Sequence, residues 1–151
     1  MKLPSMFLIL HNVVQNLTRR SSDLNFRGMQ LSHTKQFMQF VQGNRLTELK
    51  RKHSDENELM QMDFDKRKDE AQQSGDTAAV NQIQMESYGA MNNLQSRQSS
   101  EEQQMVQEAK NKEIPLDMEI ELNNVQNQVV KADLDSYQKT LDNALKGNGL
   151  G

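Results

Sequence analysis

Three histidines are the side chains in this sequence best suited to acid–base or metal chemistry. They are His11, His33 and His53, and they stand far apart along the chain. None has a second histidine or an acid beside it in a metal-ligand arrangement such as HExxH. We therefore predict no metal site and no histidine-based catalysis, and we interpret each histidine as an ordinary polar position.

Two groups of acids are the next candidates for chemistry. Asp117, Glu119 and Glu121 alternate at the expected beginning of a helix, where the positive end of the helix dipole stabilises carboxylates. The run from Asp63 to Glu70 has the acids of a calcium loop but not its central glycine or its spacing. Neither group predicts a metal or a general acid.

Motifs for nucleophilic or nucleotide chemistry are missing from the sequence. It contains no GxxxxGK[ST], GxGxxG or GxSxG segment. It also contains no cysteine, which excludes thiol catalysis, disulfides and cysteine-bound metal. We predict that the protein is not an enzyme, uses no cofactor and binds no small-molecule substrate.

Charge gives little reason to expect a nucleic-acid partner. The net charge is −3 and the isoelectric point is near 5.6. The one basic cluster runs from Arg45 through Lys50–His53, and acids from Glu48 to Glu58 offset it within two turns. Such interleaved charge is typical of a solvated helix face. We predict no nucleic-acid binding.

The elements that would hold any site are helices with thin apolar faces. Only 34% of the residues are hydrophobic, which is too few for a thick core but enough for narrow seams between helices. Residues 1–28 predict an amphipathic helix and a linker. The linker is expected over residues 18–30, which mix polar residues with Gly28 and show no period. The apolar positions of the amphipathic helix recur every three or four residues, at Phe7, Leu10, Val14 and Leu17.

Residues 29–112 predict a helical hairpin. Its turn is expected near 74–77, where Gly75 can end one helix and Asp76 or Thr77 can cap the next. The apolar-free stretch from Gln95 to Gln104 predicts a break and restart of the second helix, because Ser99 and Glu102 fit a capping box.

Residues 113–151 predict a third long helix with a flexible tail. Pro115 suits the first turn of a helix, and Gly147 suits its C-terminal cap. The apolar positions of this helix follow one stripe that slips by a residue in the middle, and we expect them to form a packing seam. They are Leu122, Val125, Val129, Leu134, Tyr137, Leu141 and Leu145.

Together these patterns predict an all-α protein: a helical hairpin plus a third C-terminal helix in an elongated, coiled-coil-like bundle. The expected function is non-catalytic, as a structural or assembly protein acting through helix–helix contacts with itself as a homo-oligomer or with another helical protein. The alternative is an exported axial or filament-type subunit, in the style of flagellar or type III secretion rods and needles, or a virion structural subunit. Terminal amphipathic helices, many amides and no cysteine favour that alternative.

A further alternative is a peripheral membrane adaptor that uses residues 5–18. The apolar run from Met6 to Leu10 is too short to span a bilayer, and it lacks the features of a secretory signal peptide. The segment instead predicts surface attachment. We expect a location in the cytoplasm, or export by a dedicated apparatus.

Overall fold

Two long helices make up the fold. A computed structural model describes residues 3–147, with side chains from residue 5 onward. Helix α1 spans Leu3–Gln73 and helix α2 spans Thr77–Gly147, and these are the only elements in the described range. The all-α class and the helical hairpin are therefore confirmed.

The turn between the helices lies at Ser74–Asp76. Gly75 has a φ of +73°, a conformation that glycine adopts without the steric cost of a side chain. The N–H of Asp76 donates to the carbonyl of Ala71 at 3.1 Å, and the N–H of Gly75 donates to Gln72 at 3.1 Å. These are the two bonds of a Schellman motif. Asp76 then caps α2, because its Oδ1 accepts the N–H of Ala79 at 3.0 Å.

The predicted linker at residues 18–30 is absent, because α1 runs through it without interruption. Gly28 is half-buried on the side of α1 that faces α2, and a Cβ built there would lie 2.9 Å from Asn123 Oδ1. The glycine therefore leaves space for the side chain of Asn123, and it does not break the helix. Residues 1–28 are part of a longer helix.

The predicted third helix is also absent as a separate element, because Pro115 lies inside α2. Proline lacks the N–H that would have donated to the carbonyl of Asn111, and its ring crowds that carbonyl, yet α2 continues through it. Ion pairs with α1 lie just beyond it, at Lys35–Asp117 and Arg27–Glu119. The expected break between Gln95 and Gln104 is helical as well.

The hairpin divides into two compact units, each an antiparallel helix pair. The turn unit is Met38–Lys112, and the terminal unit joins α1 up to Phe37 with α2 from Glu113 onward. The buried residues of the turn unit are Ala71, Leu94, His53 and Gln98, and those of the terminal unit are Leu31, Val130, Leu141 and Asn123. Each unit therefore has a thin interior that mixes apolar and polar side chains.

The seam of the terminal unit follows a heptad pattern. On α1 all but one of its buried and half-buried positions follow steps of four and three, with Val13 as the additional half-buried residue. The regular positions are Leu10, Val14, Leu17, Ser21, Leu24, Gly28, Leu31 and Lys35. On α2 the matching positions are Glu113, Leu116, Ile120, Asn123, Asn127, Val130 and Leu134. Such spacing keeps one face of each helix toward its partner, as in a coiled coil.

Candidate functional site

His53 is the most deeply buried ionisable residue in the seam of the turn unit. Only 3% of its surface is exposed. Its Nε2 lies 2.9 Å from Glu101 Oε2 and its Nδ1 lies 3.0 Å from Glu102 Oε1. Only the protonated ring can donate from both nitrogens at once. The arrangement therefore favours an imidazolium held between two carboxylates.

The charges around His53 support that protonation state. The hydrogen bond that His53 donates to Glu101 is the largest influence and raises the pKa of His53. Burial opposes the rise, and the hydrogen bond to Glu102 adds to it. The hydrogen bond from His53, followed by the one from Arg97, lowers the pKa of Glu101. Arg97 Nη1 lies 2.6 Å from Glu101 Oε1, and its Nη2 pairs with Glu56.

A neighbouring amide also ties His53 into the seam. Gln98 is buried, and its Nε2 donates to the backbone carbonyl of His53 at 3.1 Å. Because both ring nitrogens are occupied by carboxylates, neither offers a free lone pair to a substrate or a metal. We interpret the cluster as a set of polar contacts that fixes the register of α1 and α2 in the turn unit.

Sequence reasoning missed this cluster, because Glu101 and Glu102 lie almost fifty positions after His53 and only the hairpin brings them together. The available signal was a histidine on the apolar stripe of α1. Within the described residues, no group of three or more His, Asp or Glu side chains is arranged to hold a metal ion. The exposed His11 stacks on Phe7, with ring centroids 6.1 Å apart, and His33 is exposed on α1.

Two asparagines occupy the seam of the terminal unit. The buried Asn123 donates from Nδ2 to the carbonyl of Leu24 at 3.1 Å. Asn127 donates from Nδ2 to Asn25 Oδ1 at 2.7 Å, but its own Oδ1 is buried without a partner. A polar residue at a seam position selects one register at a cost in stability.

The structure divides the residues predicted to form the apolar seams between two faces. Leu10, Val14 and Leu17 are half-buried on the seam of α1, whereas Phe7 is exposed. In the second half of the predicted C-terminal stripe, Leu141 is buried, Leu134 and Leu145 are half-buried, and Tyr137 is exposed.

The first half of that predicted stripe lies on the opposite side of α2. Leu122 is 58% exposed, Val125 47% and Val129 55%. Ile114 and Met118 are exposed in the same row, which reaches Leu122 in steps of four residues, about one turn each. The apparent slip in the sequence pattern was therefore a change from one face of the helix to another. We call this row, Ile114, Met118, Leu122, Val125 and Val129, the α2 outer stripe.

A corresponding row lies on the outer side of α1. Phe26, Met29 and Phe37 are all more than half exposed, at three- and four-residue spacing with the exposed His33. We call these four residues the α1 outer stripe. Each helix of the terminal unit therefore has one apolar face in the seam and a second one in solvent. Contiguous exposed apolar surface of this kind commonly marks a contact site.

Comparison with protein-family models, curated proteins and solved structures finds no match. Neither α1 nor α2, within the described residues, has a stretch both long and apolar enough to cross a bilayer.

Proposed function

We propose that the protein is a non-catalytic structural or assembly protein that acts through helix–helix contacts. The observation that carries this proposal is the α2 outer stripe. Five apolar side chains recur there at helical spacing on a face that the hairpin partner does not cover. A helix with apolar residues on two faces is suited to a position between two other helices.

The thin interior of each unit supports the same function. Only five apolar residues are buried in the described part of the chain, and the seams also contain His53, Gln98 and Asn123. An isolated hairpin of this kind buries little apolar surface, and covering the outer stripes would add to its stability. Association stabilises a fold whenever the partner binds only the folded state.

The test is the molar mass of the purified chain by light scattering over a wide dilution series, with far-UV circular dichroism at each concentration. We expect mass and helix content to rise together with concentration. The variant Leu122→Gln/Val125→Gln removes two outer-stripe residues and should shift association to higher concentration. Its control is Leu59→Gln, which changes an exposed leucine of the turn unit and should leave association unchanged. A chain that is monomeric at every concentration would overturn the proposal.

A membrane-surface role is the second candidate, and the exposed apolar side chains of Met6, Phe7, Leu8 and Ile9 favour it. Amphipathic helices bind at the lipid interface through such residues. Co-flotation with anionic vesicles tests this role, and Ile9→Asp should abolish it if the segment is the anchor. Flotation that is equal in the variant and the parent would exclude residues 5–18 as the anchor. The exported-filament alternative remains a prediction from composition.

A further inference from the structure

The two outer stripes match each other in spacing when they are read in opposite directions. Gly28 lies opposite Asn123 across the seam, which sets the level of the two helices in the terminal unit. Counting forward from Gly28 and backward from Asn123 places Met29 level with Leu122. The same count places Phe26 level with Val125, and Phe37 level with Ile114. The steps of three, four and four residues in the α1 outer stripe are therefore the same as those from Val125 back to Ile114 in the α2 outer stripe. Val129 is level with Ser22 and lies outside the match.

We propose that the α1 outer stripe of one copy packs on the α2 outer stripe of a second copy, in the antiparallel register of the hairpin itself. This inference rests on the proposed function and names its partner as another molecule of the same chain. When two copies lie side by side without an axial shift, apolar side chains meet at three of the four levels. These pairs are Phe26 with Val125, Met29 with Leu122, and Phe37 with Ile114. At the fourth level His33 meets Met118. The intermolecular helix pair then repeats the geometry of the intramolecular one.

Pairing of like stripes is less favourable. An antiparallel pair of α2 outer stripes centred on Leu122 brings the Glu121 side chains of the two copies together. Glu121 forms none of the ion pairs found in the described residues, so no cation neutralises it. The two Glu121 carboxylates would therefore repel each other across the interface. Pairing α1 with α1 leaves the α2 outer stripe in solvent. Only the contact of α1 on α2 covers the α1 outer stripe and the α2 outer stripe from Ile114 to Val125 with a single type of interface.

Such a contact is heterologous, because each copy offers a different surface to its two neighbours. Heterologous contacts either close into a ring or continue as an open chain of subunits. The proposal therefore assigns to this protein a repeating assembly in which α1 and α2 alternate from copy to copy. It excludes a simple two-fold dimer through either stripe.

Cysteine cross-linking tests the proposal, because the chain has no cysteine of its own. Met29→Cys and Leu122→Cys are made separately, both at exposed positions, and circular dichroism verifies that each variant is helical. We expect a covalent dimer on mild oxidation of the mixture and little or none in either variant alone. A chain with both substitutions should give a ladder of covalent multimers, or one closed species if the contacts form a ring.

The matched control combines Met29→Cys with Val129→Cys. Val129 lies seven residues from Leu122, about 10 Å along the helix, which is too far for a disulfide in the proposed register. A dimer in Leu122→Cys alone, or in Met29→Cys alone, would overturn the inference and leave the proposed function standing. Association of the parent chain without any cross-link in the mixture would overturn it in the same way. A parent chain that is monomeric throughout would overturn both.

Discussion

Gly28 and Asn123 make a close contact across the seam of the terminal unit, and it depends on the absence of a side chain at residue 28. A Cβ built on Gly28 would lie 2.9 Å from Asn123 Oδ1, closer than such atoms normally approach. The same asparagine is buried and donates from Nδ2 to the carbonyl of Leu24 at 3.1 Å. The glycine thus provides the space in which the asparagine makes its bond across the seam.

This relationship predicts that Gly28→Ala does not stabilise the protein, although alanine is normally preferred to glycine in a helix. The propensity gain of about 1 kcal/mol should be offset by displacement of the Asn123 amide and loss of its hydrogen bond. Gly43→Ala is the matched control, because it is also helical and a Cβ there meets nothing within 4 Å. We expect Gly43→Ala to stabilise the protein by about 1 kcal/mol, measured by urea unfolding.

A double-mutant cycle separates the clash from the propensity. In an Asn123→Ala background the space beside Gly28 is empty, so Gly28→Ala should there stabilise the protein as Gly43→Ala does. The free energies of unfolding of the four proteins in the cycle give the coupling directly. Additive effects would show that Gly28 and Asn123 do not act together.

Local patterns in the sequence predicted correctly the turn and the helix ends beside it, but they also predicted interruptions that the two helices do not have. Gly75 and Asp76 carry a signal that depends only on neighbouring residues, since their bonds reach no further than Ala71 and Ala79. Gly28 and Pro115 are also local signals for a break, yet both lie inside helices. Contacts with the opposite helix outweigh local propensity there, and a single sequence does not show the register that creates those contacts.

The candidate site was predicted only in part, for the same reason. The stripe from Leu122 to Val129 was recognised as apolar, but its periodicity does not say which of two faces meets the hairpin partner. That choice depends on Leu116, Ile120 and Asn123, whose mixture of apolar and polar residues gives a weaker pattern than the outer stripe. The bonds of His53 to Glu101 and Glu102 depend on register too.

Val129 and Val130 provide a direct test of the two faces of α2, since they are adjacent and of the same type. Val130 is 3% exposed on the seam, whereas Val129 lies on the outer stripe. Val130→Asp should cost more than about 2 kcal/mol, because it buries an unpaired carboxylate and removes an apolar side chain. Val129→Asp should change the stability of the unassociated chain by no more than about 0.5 kcal/mol.

Thermal melts and urea unfolding of the two aspartate variants at low protein concentration measure this difference without a contribution from association. Equal effects would mean that α2 does not present Val130 to α1, and the hairpin register described above would be wrong.

A substitution that removes the buried amide oxygen of Asn127 should stabilise the protein. The Oδ1 of Asn127 is buried without a partner, and an unsatisfied buried acceptor costs about 1–3 kcal/mol. Asn127→Leu removes that acceptor and adds apolar surface to the seam, and the bond to Asn25 that it breaks is exposed to solvent, so we expect the free energy of unfolding to rise by about 1 kcal/mol. The control is Asn123→Leu, which should be destabilising because it breaks the part-buried bond from Asn123 to the carbonyl of Leu24. Destabilisation by both changes would contradict the assignment of an unpartnered acceptor.

His53 makes the stability of the hairpin depend on pH. The hydrogen bonds that His53 donates to Glu101 and Glu102 raise the pKa of His53 above its usual 6.5, so the folded state holds the proton more tightly than the unfolded state. The resulting stabilisation is fully present below the unfolded pKa of 6.5 and is lost as the pH rises through the raised folded pKa. On the acid side, the pKa of Glu101 is lowered from 4.5, so its contribution is lost as the pH falls through that lowered value.

Urea unfolding at a series of pH values should therefore give a free energy of unfolding that declines as the pH rises above 6.5. In His53→Gln the decline should disappear, because glutamine cannot gain or lose the proton. The protein should also be less stable near neutral pH, since Glu101 and Glu102 then lack their shared donor. His33→Gln is the control, because His33 is exposed on the outer side of α1 and the variant should keep the parent's alkaline slope. If His53→Gln keeps that slope as well, another group titrates, and the ring of His53 is not held as an imidazolium between the two carboxylates.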